Sequence, residues 1–182
     1  MLLLFAALLI ALGVIAALAA ASLRTYHRLT HEQEAARVAM RQVGPKLYAV
    51  TVQPAGERPQ LFSIAGDEWQ IDARVLKWGA LATIVGFDTI YRLDRLSGRY
   101  TDVAEERAAR RTVYGLAERQ TLDFWQLVRE YHEYLPLADA LYGSAAYVPM
   151  ADGAEYVVSV SATGLLARPA NEAARKGIGG WK

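Results

Sequence analysis

Histidine is the residue type in this chain best suited to proton transfer or metal binding, and the sequence contains three of them. His27 and His31 are four positions apart, a spacing that on a helix presents two imidazoles to one metal ion. No third ligand lies near them in the sequence, so we interpret them as solvated or interfacial. His132 has no serine partner placed by the sequence, and no nucleophile, base and orienting group can be named together. The sequence therefore predicts no catalytic residue, no metal site, no cofactor and no enzymatic activity.

A second polar cluster has residues of both charge signs close together in the sequence and consists of Arg92, Asp94, Arg95, Arg99 and Asp102. The pair Ser97 and Gly98 is typical of a hairpin turn, which predicts that this cluster lies across two paired strands. Cross-strand ion pairs would explain the cluster without a ligand. The alternative is that Arg92, Asp94, Arg95 and Arg99 form an interaction strip for an anionic headgroup or an acidic partner.

Composition narrows the classes of function. The 182 residues include 20 basic and 19 acidic ones, a formal net charge of +1, so the chain has no overall field that would attract nucleic acid. There is no cysteine, which excludes disulfides, thiolate catalysis and cysteine-ligated metals. After a membrane helix and a connector are subtracted, the length suffices for one ordinary domain.

An apolar run without a charged residue precedes Arg24. At about 1.5 Å per residue, a helix over 2–23 covers the roughly 30 Å of membrane hydrocarbon, so residues 1–23 are predicted to be a transmembrane anchor. The alternative is a signal peptide cleaved before Ser22. That reading is disfavoured because the run exceeds the roughly 7–15 residues of a signal core and no Lys or Arg precedes it.

The basic residues nearest to the apolar run all follow it; they are Arg24, Arg28, Arg37 and Arg41. The positive-inside rule then favours a cytoplasmic domain. Residues 24–43 are predicted to hold a juxtamembrane stalk and the first strand, with the membrane helix continuing as far as Ala36. Residues 44–168 are predicted to be a mostly-β globular domain, and residues 169–182, which include the glycine-rich stretch 177–180, an irregular tail.

Period-two alternation beyond Gly44 indicates β-strands. It is clearest in residues 68–75, where Trp69, Ile71 and Val75 face one way, and the polar residues, beginning with Glu68, face the other. One face of this strand should pack in the core and the other should face solvent.

Two further elements are expected toward the end of the chain. A helical period over 121–134 predicts an amphipathic helix that packs on the sheet. A last pair of strands, 146–150 and 156–160, is expected around an Asp152 and Gly153 turn. The predicted fold class is α+β: a mainly antiparallel β domain with one packed amphipathic helix, behind a single N-terminal transmembrane helix.

Four segments carry a family resemblance: residues 66–74 (GDEWQIDAR), 91–100 (YRLDRLSGRY), 147–153 (YVPMADG) and 164–169 (GLLARP). They are similar to segments of small proteobacterial single-pass proteins commonly named cation/multidrug efflux pump or multidrug transporter. The resemblance implies a bacterial inner-membrane location and an association with efflux, and it supplies no active residues. One apolar helix encloses no polar path through hydrocarbon, so we expect a protein that assists a separate pump.

The leading hypothesis for function is a membrane-anchored, non-enzymatic accessory or interaction domain. Its expected partners are the lipid bilayer and another membrane or envelope protein, and no nucleic acid. The alternative is a tethered domain that binds a small molecule or lipid. A pocket lined by Trp69, Trp78 and Trp125 would favour the binder, whereas a solid core would favour the interaction domain.

Overall fold

A computed structural model describes residues 6, 9–16, 18, 32–79, 89–117, 138–161 and 163–181, with the backbone alone at 138–141. The elements of the folded domain within these ranges are, in chain order, β1 (Gln33–Gly44), β2 (Leu47–Pro54), β3 (Gln60–Ala65), β4 (Glu68–Trp78), β5 (Ile90–Arg99), α1 (Val103–Ala108), β6 (Val113–Gly115), β7 (Ala138–Pro149), β8 (Glu155–Ser161), β9 (Gly164–Pro169) and α2 (Glu172–Gly179).

The strands form two sheets in which every neighbouring pair is antiparallel. The five-stranded sheet has the order β3-β2-β1-β8-β9, and the four-stranded sheet has the order β6-β5-β4-β7. This confirms the prediction of a mainly antiparallel β domain, and the helices α1 and α2 accompany the sheets. We call the end of the domain where β1 begins the near end, and the opposite end the far end.

The inner faces of both sheets contribute to a single hydrophobic core. Trp69, Ile71 and Val75 of β4 are fully buried, as the alternation predicts. Across the core, the Trp69 ring lies 5.5 Å from the ring of Tyr156 in the other sheet, measured between centroids. Burial raises the pKa of Tyr156 to about 12, and its hydroxyl donates to the Pro149 carbonyl over 2.8 Å. The centre of the domain is therefore packed by large side chains.

Side chains bridge the two sheets along one lateral edge, where β3 lies beside β6. The hydroxyl of Thr112 accepts from the Ala65 amide over 3.0 Å and lies within hydrogen-bond distance of the Ala65 carbonyl. The Tyr114 hydroxyl donates to the Ser63 carbonyl over 3.0 Å. These bonds satisfy backbone amide and carbonyl groups on the outer edge of β3 that have no neighbouring strand as a partner.

The opposite lateral edge, where β7 lies beside β9, is bridged in the same way. The hydroxyl of Ser144 accepts from the Leu165 amide over 2.9 Å. A side chain on Gly164 would overlap that hydroxyl, so the bridge requires glycine there. The two sheets are consequently tied to each other at both sides.

The predicted hairpin turn at Ser97 and Gly98 is wrong, because both residues lie inside β5. Gly98 pairs with Trp69 of β4, and its amide donates to the Thr112 carbonyl over 3.0 Å. A Cβ at this position would overlap the Ala65 carbonyl oxygen of the other sheet. The glycine thus allows two backbones to approach closely. In the sequence, a glycine that serves this purpose looks the same as a glycine in a hairpin turn.

The boundary of the domain also differs from the prediction. The expected continuation of the membrane helix to Ala36 is wrong over its last residues, since β1 begins at Gln33 and pairs with both β2 and β8. The β domain therefore starts before Gly44. The turn at Asp152 and Gly153 is confirmed, but the strands on either side do not pair with each other: β7 pairs with β4, and β8 with β1 and β9.

The C-terminal segment is not the irregular tail that was predicted. Residues Glu172–Gly179 form α2, which begins at Asn171, whose side chain accepts from the Ala174 amide. Ala174 is fully buried, and Gly177 lies close to Ala151 and to the hydroxyl of Tyr156. The helix closes the far end of the domain, and glycine permits its close packing.

Residues 9–16 of the predicted anchor are helical, and their side chains are exposed. Among the residues described, no helix reaches the length and apolar character that a membrane crossing requires. The predicted helix at 121–134, together with His27, His31 and His132, lies outside the described residues.

Candidate functional site

The candidate interaction strip lies on β5, and its side chains pair mainly with those of β4. Arg95 donates to Asp72 through Nε at 2.7 Å and Nη2 at 2.6 Å. Arg74 of β4 lies 3.4 Å from Asp94, measured from Nε to Oδ2. The register places Asp72 directly opposite Arg95, so these are cross-strand ion pairs of the kind that stabilise a wet sheet face.

A β-bulge determines which strip residues face outward. The pairing shifts between Asp72 and Ala73, so that Asp94 is the extra residue on β5. Because of the bulge, Leu93 and Leu96, three positions apart, are both buried. Arg92 and Asp94 then lie close together, with Nη2 and Oδ1 separated by 3.9 Å. Strict alternation would not have revealed this rearrangement.

Arg99, the last residue of the strip, belongs to a different arrangement. Its guanidinium carbon lies 4.4 Å from the centroid of the Tyr147 ring, a cation–π geometry. Its Nη1 is 3.6 Å from Oε2 of Glu68. The indole of Trp181 donates to the other oxygen of Glu68 over 2.7 Å and meets Tyr147 edge-on, with 5.7 Å between centroids. We call Arg99, Tyr147, Trp181 and Glu68 the Trp181 patch.

Glu68 departs from the prediction that it faces water, because only 4% of it is exposed. A buried carboxylate is costly unless hydrogen bonds and an opposite charge compensate it. Trp181 supplies the hydrogen bond and Arg99 the charge. The sequence contained no signal for this contact, since Trp181 falls in the segment predicted to be irregular.

The helix α2 positions Trp181 over the outer face of the four-stranded sheet. Its start is fixed by the Asn171 side chain. Oδ1 accepts from the Glu155 amide over 3.2 Å, and Nδ2 donates to the Gly153 carbonyl over 2.8 Å. Its end is continuous with the patch, as the Trp181 amide donates to the Ile178 carbonyl over 3.0 Å. Trp181 is therefore held in place through both its backbone amide and its indole ring.

Two other charged clusters join loops to the sheets. At the far end, Lys46 contacts both Asp67 and Glu105, and these carboxylates raise the pKa of the lysine. On the five-stranded sheet, Arg168 pairs with Glu32, with 2.8 Å between Nη2 and Oε1. This hydrogen-bonded pairing lowers the pKa of Glu32. Both clusters fasten connecting segments and are sufficiently explained by that role.

The described residues contain no group of three His, Asp or Glu side chains placed to hold a metal ion. Trp69 is packed in the filled core, Trp78 is half-buried at the end of β4, and Trp125 lies outside the described residues.

Comparison with known proteins returned no matching family model, curated protein or solved structure. The resemblance to the proteins named as efflux pumps thus stays a prediction. Function has to be argued from the geometry of the surface.

Proposed function

We propose that this chain is a membrane-anchored, non-enzymatic accessory domain that binds another inner-membrane or envelope protein through the Trp181 patch. The observation that carries the proposal is the exposure of this patch: Trp181 is 41% exposed, Tyr147 42% and the Arg99 side chain 43%. Trp, Tyr and Arg are the residue types that most often dominate binding energy at protein interfaces. Here Tyr147 contacts both Arg99 and Trp181 on a face that is otherwise polar.

The patch is also held in place before any partner binds. Tyr147 lies between the guanidinium of Arg99 and the edge of Trp181, and Glu68 fixes the indole from below. Side chains that are already ordered lose less conformational entropy on binding. Two other strip residues have a structural role, because Arg95 and Asp94 form ion pairs with residues of β4.

The anchor belongs to the same proposal. Large apolar side chains of the helical residues 9–16 are exposed, among them Leu9, Ile10 and Ile15, and such a surface needs an apolar environment to cover it. Tethering to a bilayer would raise the effective concentration of the domain near a membrane partner. The amphipathic helix predicted at 121–134 and the cytoplasmic orientation remain parts of this proposal.

Site-specific photo-cross-linking in intact membranes tests the proposal. A photoreactive amino acid replaces Tyr147 in the full-length chain, and in a matched control replaces Gln53, an exposed residue of β2 in the other sheet. We expect one defined protein adduct from position 147 that is absent from position 53. The adduct should also disappear when Arg99→Ala is added, because the cation that orients the patch is then missing. Equal adducts from positions 53 and 147 would contradict a specific interface.

A further inference from the structure

The strand β7 forms one edge of the four-stranded sheet and runs from the near end of the domain to the far end. Its register with β4 is regular from Ala140 to Pro149. The Met150 amide donates to the Asp67 carbonyl over 2.8 Å, and this bond continues the same register. In an antiparallel ladder, residues bonded to the neighbouring strand alternate with residues whose amide and carbonyl point away from it. The even-numbered residues of β7 therefore bond to β4, and the odd-numbered ones point outward.

Three successive outward-pointing residues of β7 have no partner for these groups; they are Gly143, Ala145 and Tyr147. All three are exposed, and within the described part of the chain no hydrogen bond reaches their outward-pointing amides or carbonyls. A depression of about 480 Å³ lies over Gly143 and Ala145 on the outer face of the sheet, so no described segment covers the strand there. The edge of β7 between residues 143 and 147 is thus bare.

This bare edge also lacks the features that protect edge strands from pairing. Prolines, charged side chains and β-bulges are the common ones. Residues 140–149 contain no charged residue, their single proline is the last residue of the strand, and their pairing with β4 has no bulge. The edges of β3 and β9 differ, because Thr112 and Ser144 bond to their backbone groups. The edge of β7 is therefore one that another strand can extend.

We propose that this edge pairs with the same edge of a second copy of the chain, in an antiparallel arrangement centred on Ala145. A two-fold axis at this point places Ala145 of one copy opposite Ala145 of the other, and Gly143 opposite Tyr147. Each of these pairs exchanges two hydrogen bonds, so every outward-pointing amide and carbonyl of the three residues gains a partner. A second copy supplies a strand that is already extended and held by its own sheet, and such a strand loses little conformational freedom on pairing. Closed two-fold dimers are also the commonest homo-oligomers.

The side chains along the edge are compatible with this pairing. Residues 143–147 are uncharged, so no like charges face each other across the new strand pair. Gly143 leaves open space on its face of the sheet, since an added Cβ would meet no atom within 4 Å. The rings of Tyr147 and Trp181 lie on the outer face and not in the plane of the sheet, so the Trp181 patch stays accessible in both copies. The dimer is separate from the function proposed above, and neither proposal depends on the other.

Single-cysteine variants test the dimer, because the chain contains no cysteine of its own. The full-length protein is oxidised in its membranes, and disulfide-linked dimers are separated on non-reducing gels. Opposed residues of a hydrogen-bonded pair have Cα atoms about 5.5 Å apart, within the roughly 4.4–6.8 Å that a disulfide spans. We expect Ala145→Cys to form the dimer several-fold faster than Ala39→Cys, which changes an exposed alanine of β1 in the other sheet.

A second pair of variants tests the register. Gly143→Cys and Tyr147→Cys, expressed together with different tags, should form a mixed disulfide. Each of them alone should form little, because the same residue in the two copies is then four positions apart along the strands, roughly 14 Å. Ala145→Pro removes the outward-pointing amide without removing a bond to β4, and proline is tolerated on an edge strand in that position. Light scattering in detergent should show the mass of a dimer for the wild type and of a monomer for Ala145→Pro, with the same far-UV circular dichroism spectrum.

Several results would overturn the proposal. Equal disulfide formation by Ala145→Cys and Ala39→Cys would show random collision, and the absence of the mixed disulfide would exclude the register. A cross-link from Ala145→Cys to a different protein, in place of a second copy, would show that another chain extends the edge. If the proline disrupts the sheet, the cysteine variants decide the outcome.

Discussion

The indole of Trp181 donates a hydrogen bond to the carboxylate of Glu68 over 2.7 Å, across 113 positions of sequence. This contact fastens the segment that follows α2 to the first residue of β4. It also covers a carboxylate that would otherwise face solvent beside Arg99. The C-terminal segment is thus an integral part of the outer face of the four-stranded sheet.

The first prediction concerns this bond. Trp181→Phe keeps an aromatic ring beside Tyr147 but removes the donor to Glu68, and should lower the free energy of unfolding by about 1–3 kcal/mol. Denaturant unfolding of the detergent-solubilised full-length protein measures the change. The same substitution in a Glu68→Gln background should cost less, because the carboxylate is no longer there to be left without its donor. Equal costs in both backgrounds would show that ring packing alone matters.

The second prediction compares two glycines of the same sheet. Gly98→Ala should destabilise the protein by about 1–3 kcal/mol or more, because the new Cβ would overlap the Ala65 carbonyl oxygen. Gly115→Ala serves as the matched control: no atom lies within 4 Å of the added Cβ, so we expect a change within about 0.5 kcal/mol. If the two variants unfold at the same midpoint, the close approach of β5 to β3 is refuted.

The third prediction addresses the central strand. Ile71→Ala should cost about 2–5 kcal/mol, because it removes a fully buried side chain from the core. Its neighbour Gln70 points to the outer face, and Gln70→Ala should have a small effect. A loss below about 0.5 kcal/mol for Ile71→Ala would show that β4 is peripheral.

The fourth prediction follows from the Glu32 and Arg168 pair. The pKa of Glu32 is lowered from 4.5 by the hydrogen bond with Arg168, so the unfolded chain binds this proton more readily than the folded one. The stabilisation is therefore complete above the unfolded pKa and is lost as the pH falls through the folded value. We expect the wild-type protein to be more stable than Glu32→Gln at about pH 6, with the difference shrinking as the pH falls below the unfolded pKa and through the lower folded value. A stability difference that does not vary with pH would contradict the pairing.

The fifth prediction is that the N-terminal apolar segment is retained in the mature protein. Its length favours an anchor over a cleaved signal peptide, because the apolar run exceeds the roughly 7–15 residues of a signal core. Intact-mass measurement of the protein purified from membranes provides the test. A mature chain that starts at Ser22 would contradict the anchor.

Much of the strand content followed from alternation, because a strand with one buried face leaves a period-two pattern in the sequence. Trp69, Ile71 and Val75 were predicted to be core on that basis and are fully buried. Pairing between strands was harder, since partners are chosen by contacts between distant segments. The strands on either side of the Asp152 turn accordingly join different sheets.

The candidate site was only partly accessible from the sequence. Arg95 and Asp72 could be expected on solvent-facing strand faces. The ion pairs were expected within the cluster across a turn at Ser97 and Gly98, however, whereas Arg95 pairs with Asp72 of β4. The environment of Arg99 could not be predicted, because it depends on Tyr147 and on Trp181, which other elements bring to it. A local signal for α2 did exist: Asn171 followed by Glu172 is typical of a helix start, but the glycines further on concealed it.

The hydroxyls of Thr112 and Ser144, which tie the two sheets together, also have a consequence for self-association of the domain. A bare strand edge offers unpaired amides and carbonyls to any other extended chain, and so promotes self-association into aggregates. Thr112 occupies such groups at Ala65, and Ser144 occupies the amide of Leu165. At these two positions the backbone groups of β3 and β9 are already bonded and are not available for edge-to-edge pairing with another copy.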